Sequence, residues 1–259
     1  MNKVTIYAKE NERSKECKDR LLTLLNKEGF IIDDNNPEVV ITIGGDGTFL
    51  RAVHHYLDKD VAFIGVNGGH LGFFSECDLD ELELLVKSLK EARYHIKKHR
   101  LLNAIITSES SSNSFYAVNE FRIENPFHTL IADVFINDEH LETFRGNGLV
   151  VSSSLGSSAY NKSLGGAVID PSLEVMELTE IAAIQNNVFR SLNSSYIANG
   201  DTTITFKGKF NEVVVGYDFE TFHLDESSSI ALSLSKKSIS IIHIKDREHV
   251  AKLKESFIE

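Results

Sequence analysis

Hydrophobic positions in the first hundred residues switch between two periods. "KVTIY" (3–7) has the β-branched character of a strand. Residues Glu12 to Lys27 then place Cys17, Leu21, Leu24 and Leu25 at helical spacing before Gly29 supplies a stop. "FII" (30–32) and "VVITI" (39–43) are predicted as buried strands, a helix follows the turn after residue 43, and "VAFIGV" (61–66) is a further buried strand. Asp78 to Leu89 opens with Asp78 and Glu81 spaced as a capping box over Leu79, Leu82, Leu85, Val86 and Leu89. Strands alternating with helices predict a mostly parallel α/β layer.

From about Leu101 the pattern changes. Short segments such as "LLNAIIT", "FYAVNEF", "LIADVFIN", "LVVSS", "TTITF", "EVVVGY", "SIALSLS" and "SISIIHI" are separated by Ser, Asn, Asp and Gly, which predicts an antiparallel β domain. "SESSSNS" (108–114) fits a polar hairpin loop. One exception is expected inside this region, a helix over Leu173 to Val188 on the strength of "LEVMELTEIAAI". The closing "KDREHVAKLKESFIE" carries Val250, Leu253 and Phe257 at helical spacing, and this helix is expected to pack back on the first layer. Two domains are therefore predicted, residues 1–99 with 245–259 as the α/β domain and 100–244 as the β-rich one.

Composition narrows the function. The chain has 259 residues, 42% hydrophobic and 25% charged, as ordinary globular proteins do. Its apolar runs fall well short of the about 20 residues that span a bilayer, and its start shows no secretory pattern. No membrane association and a cytoplasmic location are expected. Cys17 and Cys77 stand apart without metal or disulfide spacing, so both are expected to be reduced packing residues. With 27 Lys+Arg against 38 Asp+Glu the formal charge is −11, which disfavours a nucleic-acid partner. A phosphorylated ligand would then need a local array of donors or a divalent cation.

Candidate chemistry concentrates where "VVITI" runs into Gly44-Gly45-Asp46-Gly47. Glycines between a strand and a helix let backbone N–H groups approach a phosphate. A carboxylate among phosphates needs a further reason, to accept a proton or to act through Mg²⁺; its other explanation is an N-cap for a helix beginning near Thr48. The two stand level on this turn alone. A second glycine-rich segment, "GVNGGHLGFF" (65–74), can also bring backbone to a ligand, and Phe73 or Phe74 offers either a ring face to a purine or plain core packing.

GGDGT at Gly44 to Thr48, GVNxGxLGF at Gly65 to Phe73, Asn119-Glu120 in "AVNEF" and "GSSAYNKSLGG" at Gly156 to Gly166 occur in the order found in NAD kinases, and the chain resembles the small bacterial members of that family. The resemblance implies an N-terminal Rossmann-like α/β layer, a C-terminal β-rich domain and a returning C-terminal helix, with the site in the cleft between the domains. It implies transfer of the γ-phosphoryl group of ATP with Mg²⁺, or of polyphosphate, to the 2′-hydroxyl of the adenosine ribose of NAD, giving NADP. Asp46 would be the general base, with Gly45 and Gly47 leaving room for phosphates. Phe73, Asn119, Glu120, Arg145, Asn147, Ser158, Ala159, Tyr160, Ser163 and Ala182 would line the dinucleotide, and a homodimer or homotetramer is implied. Arg145 can face the ligand or pair with a surface carboxylate, and Ala182 is expected in the helix after the Gly pair.

The chain departs from the family pattern at four places. Ser154 replaces a usual Pro, Ser158 a Thr, Asn147 the Asp of an Arg-Gly-Asp-Gly turn, and Phe219 the Gly after Asp218. The histidines, His54, His55, His70, His95 and His99 among them, form no metal-binding pattern, and no protein-held metal is expected. Two other readings remain at this stage, a lipid or sphingoid kinase sharing GGDGT and a dinucleotide-binding regulator without turnover.

Overall fold

The computed structural model describes residues 1–68, 72–224, 227–245 and 249–259. Gly69, His70 and Leu71 of the second glycine-rich segment, and Asp246 to Glu248 ahead of the last helix, lie outside the described residues. The chain divides into two compact units, Met1–Lys98 with Ile239–Glu259, and His99–Ser238.

In the first unit β1 (Lys3–Ala8), α1 (Glu12–Lys27), β2 (Ile31–Ile32), β3 (Val39–Gly44), α2 (Asp46–His55), β4 (Ala62–Asn67), β5 (Ser75–Cys77) and α3 (Leu82–Lys90) alternate as the periodicity predicts. The sheet is parallel in the order β2, β1, β3, β4, with Val4 opposite Val39 and Val39 opposite Ala62. Every residue of β3 and β4 is buried, the continuous apolar signature of a parallel strand covered on both faces. Leu21 and Leu25 of α1 and Leu82, Leu85 and Leu89 of α3 pack on Val4, Ile41, Ile43 and Ile64. Phe49 of α2 stacks on Phe74 at 4.4 Å and meets Phe63 edge-on at 5.8 Å. Asn11 caps α1 through Oδ1, and the Asp78–Glu81 capping box is present. "FII" departs from its expected burial. Its strand is only Ile31–Ile32, 52% and 37% exposed, because β2 ends the sheet.

The second unit is antiparallel, as expected. Its elements are β6 (His95–Thr107, from residue 99), β7 (Ser112–Ala117), β8 (Glu120–Glu124), β9 (Leu130–Ile136), β10 (Glu139–Gly146), β11 (Gly148–Ser153), the single turn α4 (Tyr160–Ser163), β12 (Val175–Ile181), β13 (Tyr196–Asn199), β14 (Ile204–Lys209), β15 (Val214–Tyr217), β16 (Glu220–His223) and most of β17 (Ser227–His243). One sheet runs β10, β9, β14, β17, and a second runs β13, β12, β11, β8, β15, β16. Phe121, Leu149, Val151 and Leu178 of one sheet share an apolar cluster with Phe144, Phe206 and Leu232 of the other. The predicted strands "SIALSLS" and "SISIIHI" form the one strand β17, whose residues from Ile239 belong to the first unit and pair with β4.

The helix expected over Leu173 to Val188 is not formed. β12 occupies Val175–Ile181, and Ala182, expected within that helix, follows it at φ +47°. Leu, Met and Glu favour helix, but alternation governs here: Met176 and Leu178 enter the apolar cluster while Glu177 and Thr179 are buried against Asn161. The C-terminal helix is present as α5 (His249–Phe257), with a different buried face. Val250 is 67% exposed, and the side chain α5 buries is Lys252. Among the described residues no helix is long and apolar enough to cross a membrane. Both cysteines are free and buried, and burial pushes the Cys77 thiol up to about 12.

Candidate active site

In the first unit Asp46 is the first residue of α2, whose N-cap is Gly45, so the capping role considered for Asp46 does not apply. Its carboxylate points instead to the second glycine-rich segment. Oδ2 accepts the N–H of Phe73 and Oδ1 that of Phe74, each at 3.1 Å. A Cβ on Gly72 would stand 2.4 Å from Asp46 Oδ1, so only glycine permits this approach. Each carboxylate oxygen accepts more than one hydrogen bond, and these two bonds fix the group while leaving lone pairs for a ligand hydroxyl. Gly45, Gly47, Thr48 and Arg51, with Lys9 and Lys18, line an open cleft of about 770 Å³ at the end of β1. Two glycines at the N-terminus of α2, and three cations against the one carboxylate of Glu10 around the cleft, suit an anionic ligand despite the acidic net charge. Phe74, stacked on Phe49, is core; Phe73 is half-buried, its ring 5.5 Å from that of Phe257.

In the second unit the Asn119-Glu120 pair leads into β8 and is held by a residue a hundred positions away. Asp218 accepts the N–H groups of Val118 and Asn119 at 2.9 and 2.8 Å and is itself at φ +49°. The loop after β11 closes on the same backbone. Ser153 donates from N to Asn119 O, and a Cβ on Gly156 would lie 2.2 Å from that oxygen. Two atoms of the pair, Asn119 Oδ1 and Glu120 Oε2, are buried with no hydrogen-bond partner. Burial, with the Asp218 carboxylate adding to it, pushes the Glu120 carboxyl up to about 7, against the pull of Arg122 at 3.8 Å. Buried acceptors without a partner are rare in folded proteins, and here two belong to adjacent residues.

The segment 156–166 is ordered by residues that sequence reasoning passed over. Asn161 is fully buried, donating to Glu177 at 2.7 Å and accepting from Thr179 at 2.7 Å. Ser157, not Ser158, is the anchoring hydroxyl, bonded to Ser154 O and Ile169 N. Ser158 and Ala159 are half-buried beside it, Tyr160 donates to Glu124 at 3.1 Å, and Ser163 is exposed at the end of α4. Arg122 joins Glu124 at 3.0 Å and approaches both Glu120 and the Tyr160 ring, so Glu120 and Tyr160 belong to one polar cluster.

Arg145, Asn147 and Ala182 form a second group. Asn147 donates from N to Ile181 O, and a Cβ on Gly146 would meet Ala182 O at 2.8 Å. The Arg145 guanidinium lies 4.5 Å from the centre of the Phe189 ring and donates to Thr143 O, so its neighbour is an aromatic ring rather than a surface carboxylate. Asp218, Asn161, Gly72 and Lys252 were not picked as site residues. Gly72 has a local signal as the last glycine of "GGHLG", Asn161 lies inside "GSSAYNKSLGG" and Asp218 in the segment where Phe219 replaces the family's Gly; Lys252 has none. Among the described residues no group of three or more His, Cys, Asp or Glu side chains is placed to hold a metal ion.

Comparison with known proteins bears on both units. The ATP-NAD kinase N-terminal domain matches residues 4–94, and the ATP-NAD kinase C-terminal domain matches residues 119–217. The chain belongs to the NAD kinase family. It is 37% identical over 260 residues to an NAD kinase of Lactobacillus helveticus, covering 99% of this chain and 96% of that one. It is 44% identical over 208 residues to an NAD kinase of Pediococcus pentosaceus, covering 79% and 77%. The fold is shared with yeast NADH kinase complexed with NADH (TM-score 0.87, 19% identity, 99% of this chain and 87% of that chain). It is shared also with an NAD kinase from Archaeoglobus fulgidus in complex with ATP (TM-score 0.79, 18% identity, 98% and 99%). The family match over both units removes the lipid-kinase alternative.

Proposed function

We propose that this chain transfers the γ-phosphoryl group of ATP to the 2′-hydroxyl of the adenosine ribose of NAD. The observation that carries the reading is the Asp46 carboxylate, fixed by two backbone N–H groups beside a cation-lined cleft. Asp46 orients the hydroxyl and accepts its proton as the new O–P bond forms and the bond from the γ-phosphorus to ADP breaks. Gly45 and Gly47 leave room for the phosphates, and Lys9, Lys18 and Arg51 offset their charge. Mg²⁺ carried by ATP would supply the remaining neutralisation.

Asn119 and Glu120 receive the dinucleotide. Their unpaired buried acceptors suit the hydroxyl and amino donors of a nucleoside, and a ribose hydroxyl donating to Glu120 favours its ionised form. Ser158, Ala159, Tyr160 and Ser163, with Arg145, Asn147 and Ala182, complete the lining from the second unit, and Phe73 is the candidate for the same ligand in the first. The active form is a homodimer or homotetramer, a reading supported by apolar side chains exposed on the second unit, Phe127 at 77% and Val188 at 80%. The reaction is placed in the cytoplasm, where NAD and ATP are abundant.

The test is NADP formation from NAD and MgATP, read through an NADP-specific dehydrogenase, with Asp46→Ala beside the parent. Turnover by the parent and a loss of about 10²-fold or more in a variant that still binds NAD is the expected result. A parent that binds NAD yet makes no NADP from ATP or polyphosphate refutes the kinase reading and favours a regulator.

A further inference from the structure

Lys252 is a buried cation that the reaction as proposed above does not use. It lies in the middle of α5, 9% exposed, and donates from Nζ to Phe73 O at 2.9 Å and Ser75 O at 3.0 Å. An ammonium is costly to bury, and a surface helix holds one inward only where its hydrogen bonds compensate. The two carbonyls it meets belong to the turn that holds Asp46. Phe73 C=O and Phe74 N–H are the two ends of one planar peptide group. Its oxygen faces Lys252, and its N–H, on the opposite side, donates to Asp46 Oδ1 at 3.1 Å. Ammonium, peptide and carboxylate thus stand in a row, and a cation on the carbonyl strengthens the N–H as a donor.

The segment before α5 is fixed to the same stretch. Glu76 accepts the N–H groups of Ile244 and Lys245, both at 2.9 Å, and meets His243 Nδ1 at 3.1 Å. His249 and Phe257 of α5 flank the Phe73 ring at 6.3 and 5.5 Å. We infer that Lys252 is a positioning residue for the phosphoryl transfer: through the Phe73–Phe74 peptide it sets the direction and donor strength of the Phe74 N–H, one of the two that orient Asp46. This rests on Asp46 being the base of the proposed reaction. The C-terminal helix is then part of the apparatus around the reacting hydroxyl, acting through the backbone that Lys252 holds.

The experiment compares the full chain with Lys252→Met, Lys252→Arg and Lys252→Gln, with Lys254→Met, an exposed lysine paired with Glu259 on the same helix, as control. Lys252→Met is expected to lower kcat about 10- to 100-fold, the range for a lost hydrogen bond to a charged group, with KM for NAD nearly unchanged. Lys252→Arg restores most of the rate, Lys252→Gln falls between, and the control matches the parent. In an Asp46→Asn background Lys252→Met makes no further difference, since it acts through Asp46. Should Met prevent folding, Gln keeps a donor without the charge and carries the test. Parent-like kcat in a folded Met or Gln variant, or equal losses with and without Asp46, overturns the inference while leaving the kinase reading intact. A parent without turnover overturns the kinase reading instead. The amide resonances of Phe73 and Phe74 then decide the positioning role, which requires them to move in Lys252→Gln and not in Lys254→Met.

Discussion

Replacing Glu120 by Gln removes a carboxylate that the free protein stabilises poorly, so the variant should be more stable and less active. Glu120 is 5% exposed, Oε2 has no hydrogen-bond partner, and its carboxyl rises from the ordinary 4.5 to about 7 on folding. The folded chain therefore keeps a proton that the unfolded chain releases between about pH 4.5 and 7. Stability falls as pH rises through that window, and the full penalty is present above it. At about 1.4 kcal/mol for each tenfold change in proton affinity, the ionised residue costs the protein without ligand at most about 3–4 kcal/mol. Glutamine does not titrate. It forfeits the long contact to Arg122, so a gain of about 1–3 kcal/mol above pH 7 is expected, and essentially none below pH 4.5.

Urea unfolding of the apo parent and Glu120→Gln at pH 5 and pH 8 reads this directly. The difference between the two proteins should open between the two pH values, in favour of Gln. With saturating NAD the gap should close, because a donor hydrogen-bonded to an ionised acceptor contributes about 1.5–3 kcal/mol, a loss that also raises KM for NAD about 10- to 100-fold. A variant no more stable than the parent at pH 8, or one whose advantage is the same at both pH values, refutes the account of Glu120 as a strained acceptor.

Two further substitutions test the supports of the site. Gly72→Ala puts a methyl 2.4 Å from Asp46 Oδ1, so kcat should fall by about tenfold or more with little change in unfolding midpoint. A parent-like kcat there would show that Asp46 does not need its present orientation. Asp218→Ala leaves the N–H groups of Val118 and Asn119 unpaired, which should cost about 2–5 kcal/mol by denaturant unfolding and raise KM for NAD in protein that remains folded. Unchanged stability would mean that water replaces the carboxylate.

The sequence carried those parts of the site whose chemistry is local. Gly44 to Thr48 announces a strand, a tight turn and a helix from residue types alone, and the parallel layer around it follows from unbroken apolar runs. The β-rich unit was legible from alternation, apart from β12, where helix-favouring Leu, Met and Glu concealed a strand buried on both faces. Glu177 was the source of that error. A buried Glu looks like the polar face of a helix until Asn161, sixteen residues earlier, is seen to pair with it. Lys252 is silent for a similar reason, since its partner lies about 180 positions away and a hydrogen bond at such separation leaves no periodicity; at Asp218, whose partner is 100 positions away, Phe219 in place of the family's Gly weakens the one local cue.

The two carboxylates of the proposed site are treated by the fold in opposite ways, and the difference matches their roles. Asp46 is given two N–H donors and a glycine that clears its approach, so its orientation is fixed before any substrate arrives and no reorganisation accompanies proton transfer. Glu120 is given burial and a nearby like charge but no donor for Oε2, so the free protein holds it in an unfavourable state. A ligand hydroxyl that donates there relieves this strain, and the relief adds to binding rather than to the chemical step. Substitutions at Glu120 should therefore appear first in KM for NAD, and those at Asp46, Gly72 and Lys252 first in kcat.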